Sequence, residues 1–396
     1  MSITDPSVEA GSGQHRPPPW RDVRVIRVTL QLGFVVAVLA TLWWLTDNLT
    51  TNLRRLGIRR DFGFLDQPAG FTIIGSDFRA TSTIREALLV GLGNTLRVAL
   101  LGIVIALLFG VVVGVMRLSS NWLVARTASI YVELLRNIPP LVLITFFYFG
   151  VLATLPGISD ASTPGGVAVV SNRGVWLPWL DLGEGAGGFY LALLAALVAA
   201  MVVASWRRRV HDLTGEPHHR VLWGLGTLVA LVALAYLVLR PPVGMTVPVL
   251  DGRRVEGGAL LYPEYFALLI SLVLYTSSFI AEIVRGSIQA VPKGQVEAAD
   301  ALGLSWFARL RLVVLPQALR IATPATGNEF LNLSKNVSLG VVIAYPELLR
   351  IGRQAVANGQ PAPQTLLIVL GGYLAISLVL SAVVNVANRR LQLVER

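Results

Sequence analysis

The residues of this sequence that could do chemistry are polar side chains set in strongly apolar surroundings. They lie at the end of one apolar run and within another: Glu282, Asn328, Glu329, Asn332, Ser334, Lys335 and Asn336. A charge that faces hydrocarbon costs about 2.5–3.5 kcal/mol on insertion scales, so these side chains must line a helix bundle or a wet cavity. For Glu329 and Lys335 two interpretations stay open. In the first, their charges pair with each other or with partners at a subunit interface; in the second, they contact the transported solute. Glu282 and Arg285 lie near a helix end, where snorkelling to the cytoplasmic headgroups is the simpler interpretation.

The sequence lacks the residues needed for thiol chemistry and the motifs typical of metal binding or ATP binding. The chain has no cysteine, which excludes disulfides, thiolate metal sites and cysteine nucleophiles. Its four histidines lie in polar segments without HExxH spacing, and no GxxxxGK[ST] loop is present to bind ATP. We therefore expect no catalytic residue, no metal and no cofactor in this chain, which is not an enzyme by itself.

The composition predicts a membrane protein. Hydrophobic residues make up 54% of the chain and charged residues only 14%, with a mean hydropathy of +0.65. Ordinary soluble domains carry about 25% charged residues, so much of the usual polar surface is missing. The net charge of +10 does not indicate nucleic acid, because no basic run alternates with aromatic residues on a soluble module.

The elements that hold these residues are long apolar runs. A bilayer-spanning helix needs about 20 mostly apolar residues. Runs of this kind are Val28–Thr46, Val98–Met116, Asn137–Ser159, Gly187–Trp206, Val221–Leu239, Tyr265–Ala281 and Thr365–Asn388. A further segment, Ile321–Tyr345, has a suitable length but is interrupted by Glu329 and Lys335. The sequence therefore predicts an all-α polytopic membrane protein with about eight transmembrane helices.

The distribution of basic residues predicts the orientation. With the amino terminus inside, the cytoplasmic loops carry 19 Lys and Arg residues and the outside loops carry 12. We expect residues 1–24 to form a disordered cytoplasmic tail, 25–46 the first transmembrane helix and 47–90 a periplasmic loop. The first helix is too long for the apolar part of a signal peptide. Both termini are expected in the cytoplasm.

A spaced pattern occupies the cytoplasmic loop before the polar segment. Its residues are Glu297, Ala298, Ala299, Gly303, Val313, Leu315 and Pro316. We predict a short helix over Gln295–Leu302, ended by a left-handed Gly303, and a second helix that Ser305 caps and Pro316 kinks or ends. An amphipathic loop lying on the headgroups is the simpler alternative, but it does not explain the whole pattern.

This EAA pattern resembles that of permease subunits of type I ABC importers, in the polar-amino-acid branch. Further supporting stretches are Gly93-Asn94-Thr95-Leu96, Glu133-Leu134-Leu135-Arg136-Asn137-Ile138-Pro139-Pro140 and the run from Ala281 to Gln295. Residues 331–339 and 388–396 are similar to the larger permease of general L-amino-acid systems and of glutamate, glutamine, aspartate and asparagine systems. Leu143, Val337 and Ser287 depart from the family's usual residues; these departures concern the substrate range and leave the coupling pattern intact.

The resemblance implies the ABC transporter type-1 transmembrane (MetI-like) fold over residues 91–390, with an inserted two-helix segment at about 156–258 and a cytoplasmic tail at 391–396. It implies an inner-membrane importer of a broad range of L-amino acids, including those with acidic and amide side chains, working by alternating access. The EAA loop would dock into a separate ATPase.

The implied partners are a second, homologous permease in a heterodimer, two ATPase copies that bind ATP and Mg²⁺, a periplasmic amino-acid-binding protein and the lipid bilayer. One rival interpretation is an ion-gradient-driven secondary amino-acid transporter. It would require an internal repeat with broken helices in corresponding halves, and the sequence has no evident repeat. A membrane scaffold or insertase subunit is a second rival, which the polar span argues against.

Overall fold

The computed structural model describes residues 23–55, 57, 61–181, 187–214, 219–240 and 244–391. The predicted tails at 1–24 and 391–396 lie almost entirely outside these residues. The helices are α1 (Val23–Arg55), α2 (Ile84–Met116), α3 (Trp122–Arg136), α4 (Pro140–Thr145), α5 (Gly187–Thr214), α6 (Arg220–Leu239), α7 (Pro263–Gln289), α8 (Lys293–Ala301), α9 (Trp306–Arg309), α10 (Leu315–Asn336), α11 (Leu348–Ala357) and α12 (Ala362–Leu391). The predominantly helical fold predicted from the composition is confirmed.

The centre of the molecule is the parallel packing of α2 against α7. Two glycines of α2 allow the backbones to approach: a Cβ at Gly110 would lie 2.7 Å from the Cβ of Ile280, and one at Gly114 would lie 2.8 Å from the carbonyl oxygen of Ala281. Around this seam is the main hydrophobic core, which includes Val98, Ala106, Leu268, Leu272, Ile280 and Leu333. Helix α10 packs on α7, α2 and α12, so the polar segment lies against this core.

Buried polar groups attach α11 to its neighbours. The Thr95 hydroxyl of α2 accepts a hydrogen bond from the backbone N–H of Leu348 at 3.1 Å. Glu347, which is 0% exposed, caps α11 by accepting from the N–H groups of Leu349 (2.8 Å) and Arg350 (2.6 Å). Its carboxylate also accepts from the Tyr373 hydroxyl of α12. Burial raises the pKa of Glu347 despite these hydrogen bonds, because desolvation penalises the charged form.

Six helices of the described residues are long and apolar enough to cross a membrane. They run over Val25–Asn52, Ile84–Met116, Gly187–Val210, Val221–Leu239, Pro263–Gln289 and Ala362–Arg389. A seventh span results if Trp122–Arg136 and Pro140–Leu152, bent by 101° at their junction, are counted together.

Two predicted spans differ from the structure. The run Asn137–Ser159 is continuously helical only over residues 140–152, because the prolines at 139 and 140 separate α4 from α3 and the helix ends at Leu152 after a π-helical segment. This helix is too short to cross a bilayer alone. The segment Ile321–Tyr345 is α10 followed by a 3-10 helix at Val337–Ile343, and it is not among the six apolar spans. Its polar residues make its hydropathy lower than that of the six apolar spans.

Short strands, which the sequence did not predict, lie mainly within residues 156–258, the segment that the sequence analysis expects to be an insertion. They are β1 (Val169–Ser171), β2 (Gly174–Leu177), β3 (Trp179–Asp181), β4 (Gly244–Thr246), β5 (Val249–Asp251), β6 (Arg254–Glu256) and β7 (Ala259–Leu261). They form three small antiparallel sheets with the pairings β1-β2-β7, β3-β4 and β5-β6. Helices α5 and α6, which follow β3, form a hairpin and pack mainly on each other.

Candidate functional site

The EAA elbow, residues 293–309, has the local geometry predicted for it. Gly303 has φ of +72° and ends α8 in the left-handed region, with its N–H donating to the Asp300 carbonyl at 2.9 Å. The next N–H, of Leu304, donates to the Ala299 carbonyl at 3.2 Å, so the last carbonyls of α8 are satisfied. The Ser305 hydroxyl then caps α9 by accepting from the Ala308 N–H at 3.3 Å. Both the left-handed glycine and the serine cap are confirmed.

A salt bridge within the elbow fixes its two arms. The Arg309 guanidinium of α9 donates to both carboxylate oxygens of Asp300 in α8, at 2.5 and 2.6 Å. Of the Glu-Ala-Ala residues, Glu297 and Ala298 are exposed, whereas Ala299 is only 3% exposed. The elbow is held by this salt bridge together with apolar packing of Val296 on the start of α10, and it presents one face of α8 outward.

The apolar tip of the elbow, which comprises Leu302, Trp306 and Phe307, is unusually exposed. These side chains are 80%, 66% and 62% exposed, respectively. They flank the turn at Gly303, beyond the last turn of α7 and outside the apolar spans. A cluster of large apolar side chains outside a membrane span marks a surface that contacts another protein or the membrane interface.

Pro316 does not end the second helix, although a kink or an end is expected at this proline. Helix α9 passes through a π-helical turn at Leu310–Val314 into α10, and Pro316 lies in the first turn of α10. A proline in the first turn costs the helix little stability, because the first N–H groups of a helix have no intrahelical acceptors and the missing N–H removes no hydrogen bond. The pattern residues Val313, Leu315 and Pro316 therefore lie on one continuous helical path from the elbow into α10.

Glu282 of α7 is the centre of an ion cluster rather than a snorkelling side chain. It pairs with Arg117, the residue that caps the carboxyl end of α2, and with Arg285 one turn further along α7, the latter at 2.5 Å. A third guanidinium, from Arg136 of α3, lies at 4.0 Å and also covers the Phe279 ring at 5.0 Å. The cluster joins α2, α3 and α7 near the EAA elbow. Sequence reasoning missed Arg117 and Arg136 because each lies more than a hundred residues from Glu282 in the chain.

The polar residues of α10 divide between two faces. Asn328, Asn332 and Lys335 are exposed and, at spacings of four and three residues, share one stripe of the helix. Ser334 is buried and donates to the Leu331 carbonyl at 2.8 Å, while Glu329 and Asn336 are half-buried. We call the exposed residues Asn328, Asn332 and Lys335 the polar stripe of α10.

The structure does not bring Glu329 and Lys335 together. Within the described residues no ion pair joins them, and the groups that interact with Glu329 are Asn332 and Arg136. Helix geometry explains this: residues six apart lie about 120° apart around the axis and about 9 Å along it. Side chains meet along a helix at spacings of three or four. The interpretation in which these two residues satisfy each other is therefore wrong.

Apolar helices around a tightly packed core, with a polar helix against that core, are the architecture of a polytopic membrane protein. The chain belongs to the family of binding-protein-dependent transport system inner membrane components, whose sequence pattern matches residues 102–393. It is therefore a transport subunit and not an enzyme.

Three relatives are similar along nearly their whole length. The general L-amino acid transport system permease protein AapQ of Rhizobium johnstonii is 39% identical over 96% of this chain and 94% of its own. The amino-acid ABC transporter permease protein YhdX of Escherichia coli, described as putative, is 41% identical over 92% and 94%. The glutamate/glutamine/aspartate/asparagine transport system permease protein BztB of Rhodobacter capsulatus is 34% identical over 95% and 96%. The relatives of this chain are thus ABC permeases for amino acids.

Proposed function

We propose that this chain is one of two homologous permease subunits of an ABC importer that carries a broad range of L-amino acids into the cell. The range includes amino acids with acidic and amide side chains. Both termini of the chain lie in the cytoplasm. Support for the substrate range comes from relatives named for general L-amino acids and for glutamate, glutamine, aspartate and asparagine. The ATP and Mg²⁺ are bound by a separate ATPase, present in two copies, and a periplasmic binding protein delivers the amino acid.

The observation that carries the proposal is the apolar tip of the EAA elbow. Leu302, Trp306 and Phe307 are exposed in the isolated chain, and the salt bridge of Arg309 with Asp300 fixes the arms that carry them. A preformed apolar projection of this kind loses little conformational freedom on binding. The ATPase is the partner that would cover it. Movement of the elbow would pass along the continuous helix through Pro316 into α10 and its polar stripe.

A second permease subunit is supported by the polar stripe of α10. Asn328, Asn332 and Lys335 are exposed on a helix that packs against the core of a membrane protein, and hydrocarbon is a costly surrounding for them. A homologous permease that faces this helix would enclose the stripe in a shared polar path. In alternating access, such a path opens to one side of the membrane and then to the other.

The test is a pair of matched glycine substitutions at the two ends of the bundle. Gly303 and Gly359 both have left-handed backbones, with φ of +72° and +90°, and neither has an atom within 4 Å of an added Cβ. Both substitutions to aspartate therefore impose similar backbone strain, but only Gly303 lies in the elbow. We expect Gly303→Asp to abolish co-purification of the ATPase or ATP-dependent uptake, and Gly359→Asp to retain both.

Uptake is measured in proteoliposomes that contain the full complex and binding protein, with L-glutamate, L-glutamine, L-aspartate, L-asparagine and L-leucine as substrates. Equal loss in both variants would show that strain, not the elbow, is responsible. Uptake that persists without ATP but follows an ion gradient would contradict the ABC mechanism. Uptake of only one of the five amino acids would contradict the broad range.

A further inference from the structure

A cavity of about 420 Å³ lies at the end of the bundle opposite the EAA elbow, where α2 and α7 begin. Its wall includes Asn94 and Arg97 of α2, Glu264 and Tyr265 at the start of α7, and Tyr345 after the 3-10 helix. The volume is within the range of about 300–1,000 Å³ that is usual for small-molecule sites. Neither the EAA elbow nor the ion cluster of Glu282 contributes to it.

Two opposite charges line this cavity without neutralising each other. Among the described residues, neither the guanidinium of Arg97 nor the carboxylate of Glu264 forms an ion pair. Glu264 accepts a hydrogen bond from the Tyr148 hydroxyl at 3.2 Å. Arg97 lies on α2 directly before the apolar run that begins at Val98, and its side chain is exposed, so its guanidinium is accessible from the cavity.

Aromatic side chains also line this cavity, namely those of Tyr262, Tyr265, Tyr345 and Trp179. The Tyr345 hydroxyl donates to the Asn94 carbonyl at 3.1 Å, and the Asn94 amide donates to the Pro346 carbonyl at 2.9 Å, so this wall is held in place. Trp179 belongs to β3, so one of the short strands also contributes to the cavity wall. Aromatic faces attract ammonium groups and also pack against apolar side chains.

We propose that this cavity binds the zwitterionic head of a free α-amino acid. Arg97 receives the α-carboxylate, for which a guanidinium offers two parallel N–H donors. Glu264 receives the α-ammonium group, which also faces the tyrosine rings. The inference rests on the proposed function, since it assumes that an amino acid is the solute. It adds the reason for a broad range: the site contacts the groups that all α-amino acids share.

The first experiment measures binding of L-glutamine and L-leucine to the purified complex without its binding protein. We expect Arg97→Gln and Glu264→Gln each to weaken binding of both ligands by about tenfold or more, and by similar factors. Isoamylamine, which is leucine without its carboxylate, should bind weakly to the wild type and be unaffected by Arg97→Gln. The matched control is Arg85→Gln on the same helix, because Arg85 is exposed, pairs with Asp66 and is outside the cavity.

A second measurement does not depend on the charged variants folding. The chain has no cysteine, so Ile74→Cys, at an exposed position of the cavity wall, introduces a unique thiol. We expect L-glutamine and L-leucine to slow its reaction with a maleimide at least severalfold, and to leave the reaction of Ser159→Cys unchanged. Ser159 is exposed and does not line the cavity.

The outcomes separate this inference from the proposed function. If wild-type complex imports amino acids but the Arg97 and Glu264 variants bind and transport normally, or Ile74→Cys is not protected, the cavity assignment is overturned. If the variants weaken the binding of glutamine and leucine to very different extents, the cavity recognises the amino-acid side chain, and the zwitterion assignment is overturned. If the wild-type complex imports no amino acid, the proposed function itself fails.

Discussion

Glu282 of α7 pairs with Arg117, the residue that follows the last turn of α2, and this contact closes the end of the central helix pair nearest the EAA elbow. The two residues are 165 positions apart in the chain. Their ion pair is only slightly exposed, with Arg117 at 12% and Glu282 at 27%. The contact therefore links the two helices of the core at the place where movement of the elbow would enter the bundle.

Neutralising Glu282 should destabilise the protein. Glu282→Gln would leave Arg117 and Arg285 without their carboxylate and Arg136 without its nearest anion. Breaking a fully buried pair costs about 3–5 kcal/mol, and partial exposure reduces this to about 1–3 kcal/mol. The midpoint of thermal unfolding in detergent should fall clearly. Asp66→Asn, which removes an exposed pair with Arg85, should change the midpoint little, and equal effects would argue against a structural role of the cluster.

Lys335→Met should reduce transport without preventing assembly, and Glu329→Gln should not restore transport. Lys335 is exposed on the polar stripe and makes no ion pair with Glu329 among the described residues. In a double-mutant cycle, independent sites add to within about 0.5 kcal/mol. Transport is measured as the uptake rate, and assembly as the yield of purified complex, for the wild type, the two single variants and the double variant. Rescue of assembly or uptake in the double variant would show that the two residues pair in the assembled complex.

Glu347 should make stability fall as pH rises. Its pKa is raised by burial, so the folded chain binds more protons at this group than the unfolded chain, whose glutamate pKa is about 4.3. Stability attributable to this carboxyl is therefore lost progressively as pH rises from about 4.3 through the folded pKa. The unfolding midpoints of the wild type and Glu347→Gln, measured over this pH range, should differ by an amount that changes with pH. Parallel curves would contradict the prediction.

Single cysteines test the orientation. In the cysteine-free chain, Ser159→Cys and Asn358→Cys should react with an impermeant maleimide added to intact cells, and Leu302→Cys should not. All three positions are exposed in the structure. Inverted vesicles from cells that express the chain without the ATPase should reverse the pattern for Leu302→Cys. Labelling of Leu302→Cys in sealed cells would place the elbow outside and remove the basis of its coupling role.

Features set by neighbouring residues could be predicted, whereas those set by distant contacts could not. The left-handed turn at Gly303 and the cap at Ser305 depend on residue types within one helical turn, and both were predicted. The continuous helix through Pro316 was not, because a proline signals a break in general but is well tolerated at the start of a helix. The partners of Glu282 depend on packing between helices that no local pattern encodes.

The cavity and the small sheets also depend on distant contacts, and neither could be predicted from the sequence. Arg97 and Glu264 each stand directly before an apolar run, where a charged residue at the end of a span is not unusual. Nothing local indicates that the two side chains line one space. The strands are three or four residues long, too short for a reliable alternating pattern, and their pairing brings together segments on either side of α5 and α6.

The pairing of β2 with β7 has a consequence for how the inserted segment is attached. Leu177 lies opposite Ala259 in this ladder, so the chain leaves for α5 and α6 and returns at neighbouring points. Adjacent antiparallel strands can be joined by a two-residue turn. The excursion through α5 and α6 therefore stands on a shared two-stranded stem, so a change in its length need not displace Leu177 or Ala259.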